Sequence, residues 1–329
     1  MGKTQSTERR SCTGKQTTLV TYSLRDFGSY TVGGRTHKVT TGEPREVFFT
    51  ESASYQYDPR GHFSVEHAYV QYFIPENRNG HPPVVLVHGG GMHGSTWETT
   101  PDGRPGWINL LLAQGYEVHV LDNVERGRSG FAPGLWQDDP ILRSQEEAWV
   151  LFRIGAKENF NDMQPFKGSL FPVNSFESFA QKIVPRWLTT THLHVAALID
   201  TLRHTGPAIV ICHSQGGEIA LNAAAAVPEY FTGLIAIESS ASPKNVETTP
   251  QVPCVLFAGD FLDAEQHWCR RLDQWLNWKA FACDNLQLIQ SGKDCVSGHT
   301  HFPMLDHGSE EVLRLCMRTF EECLLAARQ

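Results

Sequence analysis

Short apolar runs alternate with helical patterns along most of the chain, and this alternation limits the possible folds more than any other feature. Six apolar runs of four to six residues occur, at 84–87, 116–121, 208–212, 233–237, 254–257 and 286–289. Apolar residues recur at helical spacing between them, for example at Val195, Leu198 and Leu202. Strands that alternate with helices predict an α/β fold, with a mostly parallel sheet covered by helices.

A β-rich region precedes this alternating pattern. It contains short segments punctuated by glycine and one longer run, at 17–24, 30–33, 47–50 and 66–74. Such segments predict N-terminal antiparallel strands joined by hairpins. We therefore expect one domain over residues 16–329, preceded by a disordered polar tail over residues 1–15.

Charge and hydropathy exclude several classes of protein. The chain has 28 Lys and Arg against 36 Asp and Glu, a net charge of −8, so it lacks the basic surface that nucleic-acid binding requires. No apolar run approaches the ~18 residues that cross a bilayer. The N-terminus has no apolar signal segment, which predicts a cytoplasmic protein. Gly2 and Ser6 also fit the short N-myristoylation pattern.

One stretch, residues 131–190, interrupts the alternation. It holds ten aromatic residues, at Phe131, Trp136, Trp149, Phe152, Phe160, Phe166, Phe171, Phe176, Phe179 and Trp187. No clear strand divides it, so we predict a helical cap insertion over the sheet edge, where ligands bind in open α/β sheets. Ordinary core helices are the alternative.

The sharpest local motif runs from Ile209 through Ser214 to Gly217, as IVICHSQGG. It reads as a strand, a tight turn that carries Ser214, and the start of a helix, which is the context of a nucleophile elbow. Gly216 supplies a small residue two positions after the serine, but Cys212 stands where a glycine is usual. A plain strand-to-helix turn with a capping serine is the alternative.

A glycine-rich loop, His88 to Gly91, follows the apolar run 84–87. Bare backbone N–H groups in such a loop bind an oxyanion. We expect the donors to be the N–H groups of Gln215 and of Gly90 or Gly89. A phosphate-binding loop would end in Gly-Lys-Ser/Thr, which this loop does not.

The general base should follow the last strand and precede the last helix. His301, in the sequence HFP, fits this position best, and His299 and His307 are alternatives. Zinc ligation by a Cys295, His299, His301 and Asp306 set matches no standard zinc spacing, so we expect no metal and no organic cofactor.

Two carboxylates follow strands at the same sheet edge and could orient the base. Glu238 follows the run 233–237, while Asp260, with Asp263 nearby, follows the run 254–257. The usual acid position of this architecture favours the second site, and the pattern alone leaves the choice open.

Several segments together resemble the atypical Alcaligenes-type bacterial esterase within the α/β-hydrolase superfamily. They lie at 66–75, 87–89, 96–107, 126–129, 148–149, 213–215, 252–253 and 259–260. The resemblance runs from about residue 60 to the end, and block 96–107 is its longest and most specific part. It implies a Ser214–His301–Glu238 triad, with Asp260 as a supporting carboxylate. Gly90-Gly91 replaces a Cys-Cys pair of the relative.

These features predict a serine hydrolase that cleaves a small-molecule carboxylic ester through an acyl-enzyme. The aromatic insertion favours an ester with an apolar portion. Trp97 and Trp107 are candidates to line its pocket, and the alternative is that they are packing residues. A biosynthetic accessory enzyme that opens a lactone, releases a thioester or catalyses a non-hydrolytic cyclisation is the second possibility. A non-catalytic binding protein on a hydrolase scaffold is the third.

Overall fold

The computed structural model describes residues 21–132, 134–135, 138–245, 247 and 252–326. The predicted tail, the Gly2 myristoylation pattern and Trp136 lie outside this part of the chain. Ten strands and seven α-helices form within it. Among the described helices, none combines the length and the apolar character that crossing a membrane requires.

The N-terminal strands are antiparallel, as predicted, but they are longer than the sequence pattern suggested. Strand β1 (Leu24–Val39) pairs along its whole length with β4 (Gly61–Pro75), and β2 (Arg45–Thr50) forms a separate hairpin with β3 (Ala53–Tyr57). The predicted strand at 30–33 lies inside β1, whereas within 21–24, the described part of the predicted strand 17–24, Leu24 alone belongs to a strand. β1 continues through its glycines because it pairs with β4 along its whole length. From the local sequence alone, the same glycines predict that the strand ends.

All six predicted apolar runs are strands. They are β5 (Val84–Val87), β6 (Val118–Asp122), β7 (Ala208–His213), β8 (Phe231–Ile237), β9 (Cys254–Ala258) and β10 (Leu286–Gln290). Most of their residues are buried, because helices cover both faces of the sheet. Along β5, Val84 and Leu86 pack into one core, and Val85 and Val87 pack into the core on the other face.

The main sheet has the order β1-β4-β6-β5-β7-β8-β9-β10. Pairing is antiparallel from β1 through β4 to β6, and it is parallel from β6 to β10. Because parallel strands end at one edge, the segments that follow β5, β7 and β8 meet there. This confirms the predicted α/β-hydrolase fold class.

Seven helices cover the sheet. They are α1 (Trp107–Ala113), α2 (Gln145–Leu151), α3 (Phe176–Ala180), α4 (Thr191–Thr205), α5 (Gln215–Ala226), α6 (Gln266–Ala282) and α7 (Ser309–Ala326). Residues of α1 and α7 belong to one core, and those of α4, α5 and α6 to the other. The two helix layers therefore enclose the sheet from opposite sides.

In the described part of the segment 131–190 there are two short α-helices, α2 and α3, joined by single turns of 3-10 helix and irregular loops. Several of its aromatic rings are buried in the main core, including Trp149, Phe176 and Phe179. Phe179 packs edge-to-face on Phe302, with ring centroids 5.1 Å apart. These buried aromatic rings therefore pack the segment against the rest of the domain.

Candidate active site

Ser214 lies at the sharp turn between β7 and α5, with φ +49° and ψ −116°. A non-glycine residue persists in this region only where its surroundings hold it. Two backbone hydrogen bonds do so here, because Ser214 N donates to Ile237 O at 3.0 Å and Ser240 N donates to Ser214 O at 2.9 Å. The strand–turn–helix context predicted for the motif is present.

Small residues let this turn pack against its neighbours. A Cβ atom added to Gly216 would lie 2.7 Å from the carbonyl oxygen of Val87, and one added to Gly217 would lie 2.7 Å from Ser239 Cβ. Cys212, two residues before the serine, is fully buried within β7 and packs in the core. A cysteine therefore fits where a glycine was expected.

His301 follows the last strand and binds Glu238, which follows β8. His301 Nδ1–H donates to Glu238 Oε2 at 3.0 Å, and both side chains are buried. A carboxylate only accepts, so the proton is on Nδ1 and the neutral ring keeps a lone pair on Nε2. Burial lowers the pKa of His301, assisted by Arg153, and together they outweigh the opposing effect of Glu238. The imidazole is therefore a free base at neutral pH.

Arg153, a residue that sequence reasoning missed, completes the surroundings of Glu238. Its Nη2 lies 2.9 Å from Glu238 Oε2, its Nε donates to Asp260 O at 2.7 Å, and its guanidinium lies over the Trp268 ring at 4.3 Å. The arginine is fully buried and has φ +57°. The sequence contains one signal for this residue, because Arg153 is the single charged residue within the apolar sequence AWVLFRI.

The buried Glu238 carboxylate is thus held ionised. Burial raises its pKa, but Arg153, the His301 hydrogen bond and the Gly259 N–H outweigh burial, so the pKa lies below its ordinary value. A charged Glu238 both orients the His301 ring and stabilises its imidazolium form.

Asp260, the alternative acid, has other partners. Its Oδ2 accepts hydrogen bonds from Ser291 Oγ at 3.1 Å and from Gly298 N. Within the described residues it makes no hydrogen bond to His301. Asp260 therefore holds the loop before His301, and its role as a supporting carboxylate stays a prediction.

The other candidate histidines also lie apart from Glu238. His299 Nδ1 is 3.5 Å from Asp306 Oδ2, and His307 is an exposed residue 3.9 Å from Asp102. Among the described residues, no group of three or more potential ligands is placed to hold a metal ion.

The glycine loop after β5 is fixed by His88. Asn123 N donates to His88 Nε2 at 3.0 Å, so Nδ1 carries the proton and donates to Gly89 O at 2.8 Å. Burial lowers the pKa of His88 to about 4, which keeps this ring neutral. Gln215 N opens α5, where the first N–H groups have no acceptor within the helix. Gln215 and Gly90 line the same pocket.

This pocket, which we call the elbow pocket, has a volume of about 380 Å³. Its lining includes Ser214, Gln215, Gly90 and His301. Phe152 also lines it and stacks parallel to the His301 ring, with centroids 5.6 Å apart. Ser214, His301, Gln215 and Gly90 thus line one space, whereas Gly89, the alternative oxyanion residue, is not among its described lining residues.

Trp97 and Trp107 do not fit the predicted role of pocket-lining residues. Both are fully buried in the core, with ring centroids 5.6 Å apart, and neither is among the described lining residues. Trp107 Nε1 also donates to Ser309 O at 3.1 Å. The pair packs α1 against the start of α7, so we correct their assignment to structural residues.

Comparisons with known proteins agree with this architecture. The Alpha/beta hydrolase family model matches residues 84–289. The chain is 28% identical to a solved structure described as a novel bacterial esterase, with a TM-score of 0.81, covering 94% of this chain and 99% of that one. The predicted resemblance to a bacterial esterase is confirmed.

A curated relative, the probable secreted lipase phiG of Fungal sp. (strain ATCC 74256), is 30% identical over 189 residues. The match covers 53% of this chain and spans about half the length of that lipase. With a family match over more than half of its length, the chain belongs to the Alpha/beta hydrolase family, and it is similar to a bacterial esterase and to a probable secreted lipase.

Proposed function

We propose that the protein cleaves carboxylic esters through Ser214, His301 and Glu238, with an acyl-enzyme intermediate. The observation that carries this proposal is the buried His301–Glu238 hydrogen bond of 3.0 Å at the wall of the pocket that holds the strained Ser214 turn. A binding protein on a hydrolase scaffold would not need an ionised acid buried against a neutral histidine.

The proposed reaction has two halves. His301 Nε2 takes the Ser214 hydroxyl proton as Oγ bonds to the ester carbonyl carbon, and the carbonyl oxygen becomes an oxyanion. The N–H groups of Gln215 and of Gly90 or Gly89 stabilise it, a contribution of about 3 kcal/mol per donor. The carbon–oxygen bond to the alcohol then breaks, and the alcohol leaves with the proton from His301.

Water completes the cycle. His301 accepts a proton from water as the water oxygen attacks the acyl carbon, and the Ser214 oxygen leaves with that proton. Glu238 stays ionised throughout and compensates the imidazolium charge. Apart from the ester and the water, the groups in this proposed scheme are residues of the chain.

Hydrolysis of a 4-nitrophenyl ester series from acetate to octanoate tests the proposal. We expect turnover by the wild type and loss of turnover in Ser214→Ala, while the matched variant Ser95→Ala, a serine outside the elbow pocket, retains it. Equal melting temperatures would show that the variants fold. Turnover that survives in Ser214→Ala would contradict the proposed nucleophile.

The series also tests the predicted apolar portion of the substrate, because a chain-length optimum measures the length of the apolar part of the pocket near Ser214.

Cellular location is a separate matter. The curated relative is named a probable secreted lipase, and a cytoplasmic location stays a prediction for this chain.

A further inference from the structure

The elbow pocket is unusually basic for this protein. Three arginines, Arg143, Arg186 and Arg271, line it, and Glu218 is the acidic residue among its described lining residues. The whole chain carries a net charge of −8. Positive charge is therefore concentrated at the site, whereas the net charge of the whole chain is negative.

Arg186 lies next to two residues of the proposed oxyanion hole, Gly90 and Gln215. A Cβ atom added to Gly90 would collide with Arg186 Nη1, so the guanidinium lies directly beside the oxyanion loop. Arg186 Nη1 donates to Gln215 Oε1 at 3.1 Å, and its Nε is buried with no hydrogen-bond partner. Within the described part of the chain, no carboxylate pairs with it.

Arg143 and Arg271 extend the basic wall. Arg143 forms an ion pair with Glu147, whose side chain is half exposed, while Arg271 Nη1 donates to the neutral Gln274 Oε1 at 2.7 Å. Burial lowers the pKa of both Arg186 and Arg271. A positive charge held in a partly dehydrated pocket without a full counter-charge favours an anionic ligand.

We propose that the ester substrate carries a carboxylate near its scissile carbonyl, and that Arg186 binds this carboxylate with Arg143 and Arg271 behind it. A guanidinium can hold a carboxylate through two parallel hydrogen bonds, which also fixes its orientation. This inference rests on the proposed function and names its substrate class. The ester is either a half-ester of a dicarboxylic acid or an ester formed at the hydroxyl group of a hydroxy acid, and in both cases one carboxylate stays free.

Matched esters test the inference, because each pair exchanges a methyl group for a carboxylate. On the acyl side the pairs are monoethyl succinate with ethyl butyrate and monoethyl adipate with ethyl hexanoate. On the alcohol side the pair is the butyryl ester of 3-hydroxypropanoate with propyl butyrate. The measured quantity is the ratio of kcat/KM for the anionic ester to that for its neutral partner.

We expect at least one pair to show a ratio above one that falls as ionic strength rises. Arg186→Met should lower this ratio by about 10- to 100-fold, the effect of a lost charge-assisted hydrogen bond. Arg186→Lys should lower it less. The pair with the larger effect identifies the side of the ester that carries the carboxylate.

Arg314→Met is the control, since Arg314 is an exposed residue of α7 that does not line the elbow pocket. It removes the same charge from the chain and should leave the ratio unchanged. If Arg186 only positions Gln215, Arg186→Met would slow both esters of a pair equally, and that result would overturn the inference. A wild-type ratio of one or less on every pair would also overturn it.

Calorimetry separates this inference from the proposed function. Monoethyl glutarate should bind to the Ser214→Ala variant, and binding should weaken at least tenfold when Arg186→Met is added. No ester turnover together with Arg186-dependent binding would contradict the esterase proposal and support the anion site. Turnover of neutral esters without such binding would do the reverse.

Discussion

Arg153 Nη2 lies 2.9 Å from Glu238 Oε2, the same carboxylate oxygen that accepts the hydrogen bond from His301. One buried carboxylate is therefore shared by a permanent cation and by the proposed base. Because Arg153 arises from the segment 131–190, that segment contributes to the electrostatics of the site as well as to its walls.

Arg153→Met should reduce kcat/KM by roughly 100-fold, because Glu238 and His301 lose the contact that fixes their geometry. It should also move the acidic limb of the pH profile to higher pH, since Arg153 lowers the pKa of His301. Arg153→Lys, which keeps the charge, should retain the limb near its wild-type position. The measurement is kcat/KM as a function of pH.

Arg126→Met serves as the matched control, because Arg126 is also a buried arginine but pairs with Glu125. It should lower stability without moving the pH profile. An unshifted profile in Arg153→Met would show that this arginine is only a packing residue.

The wild-type pH profile follows from the His301 environment. Protonated His301 cannot accept the Ser214 proton, so kcat/KM should fall as the pH decreases through the His301 pKa. Because burial lowers that pKa below 6.5, the midpoint of the acidic limb should lie below 6.5. A midpoint above 6.5, measured with an ester of constant ionisation, would contradict the proposed electrostatics.

The choice between the two candidate acids can be decided by a pair of amide variants. Glu238→Gln should lower kcat by roughly 1,000- to 10,000-fold, since it removes the charge that stabilises the His301 imidazolium. Asp260→Asn should mainly weaken the loop that Asp260 binds, at a cost of about 1–3 kcal/mol in unfolding free energy. Steady-state kinetics and chemical denaturation measure the two effects. A larger catalytic loss in Asp260→Asn would reverse the assignment.

The oxyanion loop gives a steric prediction. A methyl group at Gly90 would meet both Arg186 and, at 2.8 Å, Gln215 Oε1. Both contacts are the far ends of flexible side chains, so Gly90→Ala should displace the Arg186 and Gln215 side chains and leave the loop in place. The proposed N–H donors keep their positions, so kcat should fall by less than about 10-fold, against about 100-fold for the loss of one oxyanion donor. Circular dichroism should show an intact fold. A loss of about 100-fold or more in a folded Gly90→Ala would show that the loop itself moves.

Trp107 provides a test of the corrected assignment. Trp107→Phe removes the hydrogen bond to Ser309 O and part of a fully buried ring, so the unfolding free energy should fall by about 1–3 kcal/mol. The KM for small esters should not change, because the ring lies in the core. A raised KM at unchanged stability would restore the original interpretation.

Local patterns in the sequence predicted the elements whose signals are local. The run 84–87 forms β5, and the motif around Ser214 forms the turn between β7 and α5. In both places an apolar run predicts the strand, and the small residues that follow it predict the turn. The choice of Glu238 over Asp260 needed the resemblance, since both follow strands at the same sheet edge. Their different partners appear only in three dimensions.

The remaining features depend on distant contacts. Arg153 and Glu238 are far apart in sequence, so no spacing rule connects them. An arginine within an apolar run does, however, indicate a buried charge that needs a partner. The basic wall likewise combines Arg143 and Arg186, which are 43 positions apart within segment 131–190, with Arg271 of α6. Trp97 and Trp107 were misplaced because an aromatic residue near a site packs in the core as readily as it lines a pocket.

Covalent labelling tests the central claim most directly, that Ser214 is a nucleophile activated by His301 and Glu238. The protein would be treated with a fluorophosphonate, and the modified residue would be located by peptide mass spectrometry. We expect one phosphonyl group per chain, located on Ser214, with much slower labelling in Glu238→Gln. A folded wild type that stays unlabelled, or that is labelled on a different serine, would contradict the account.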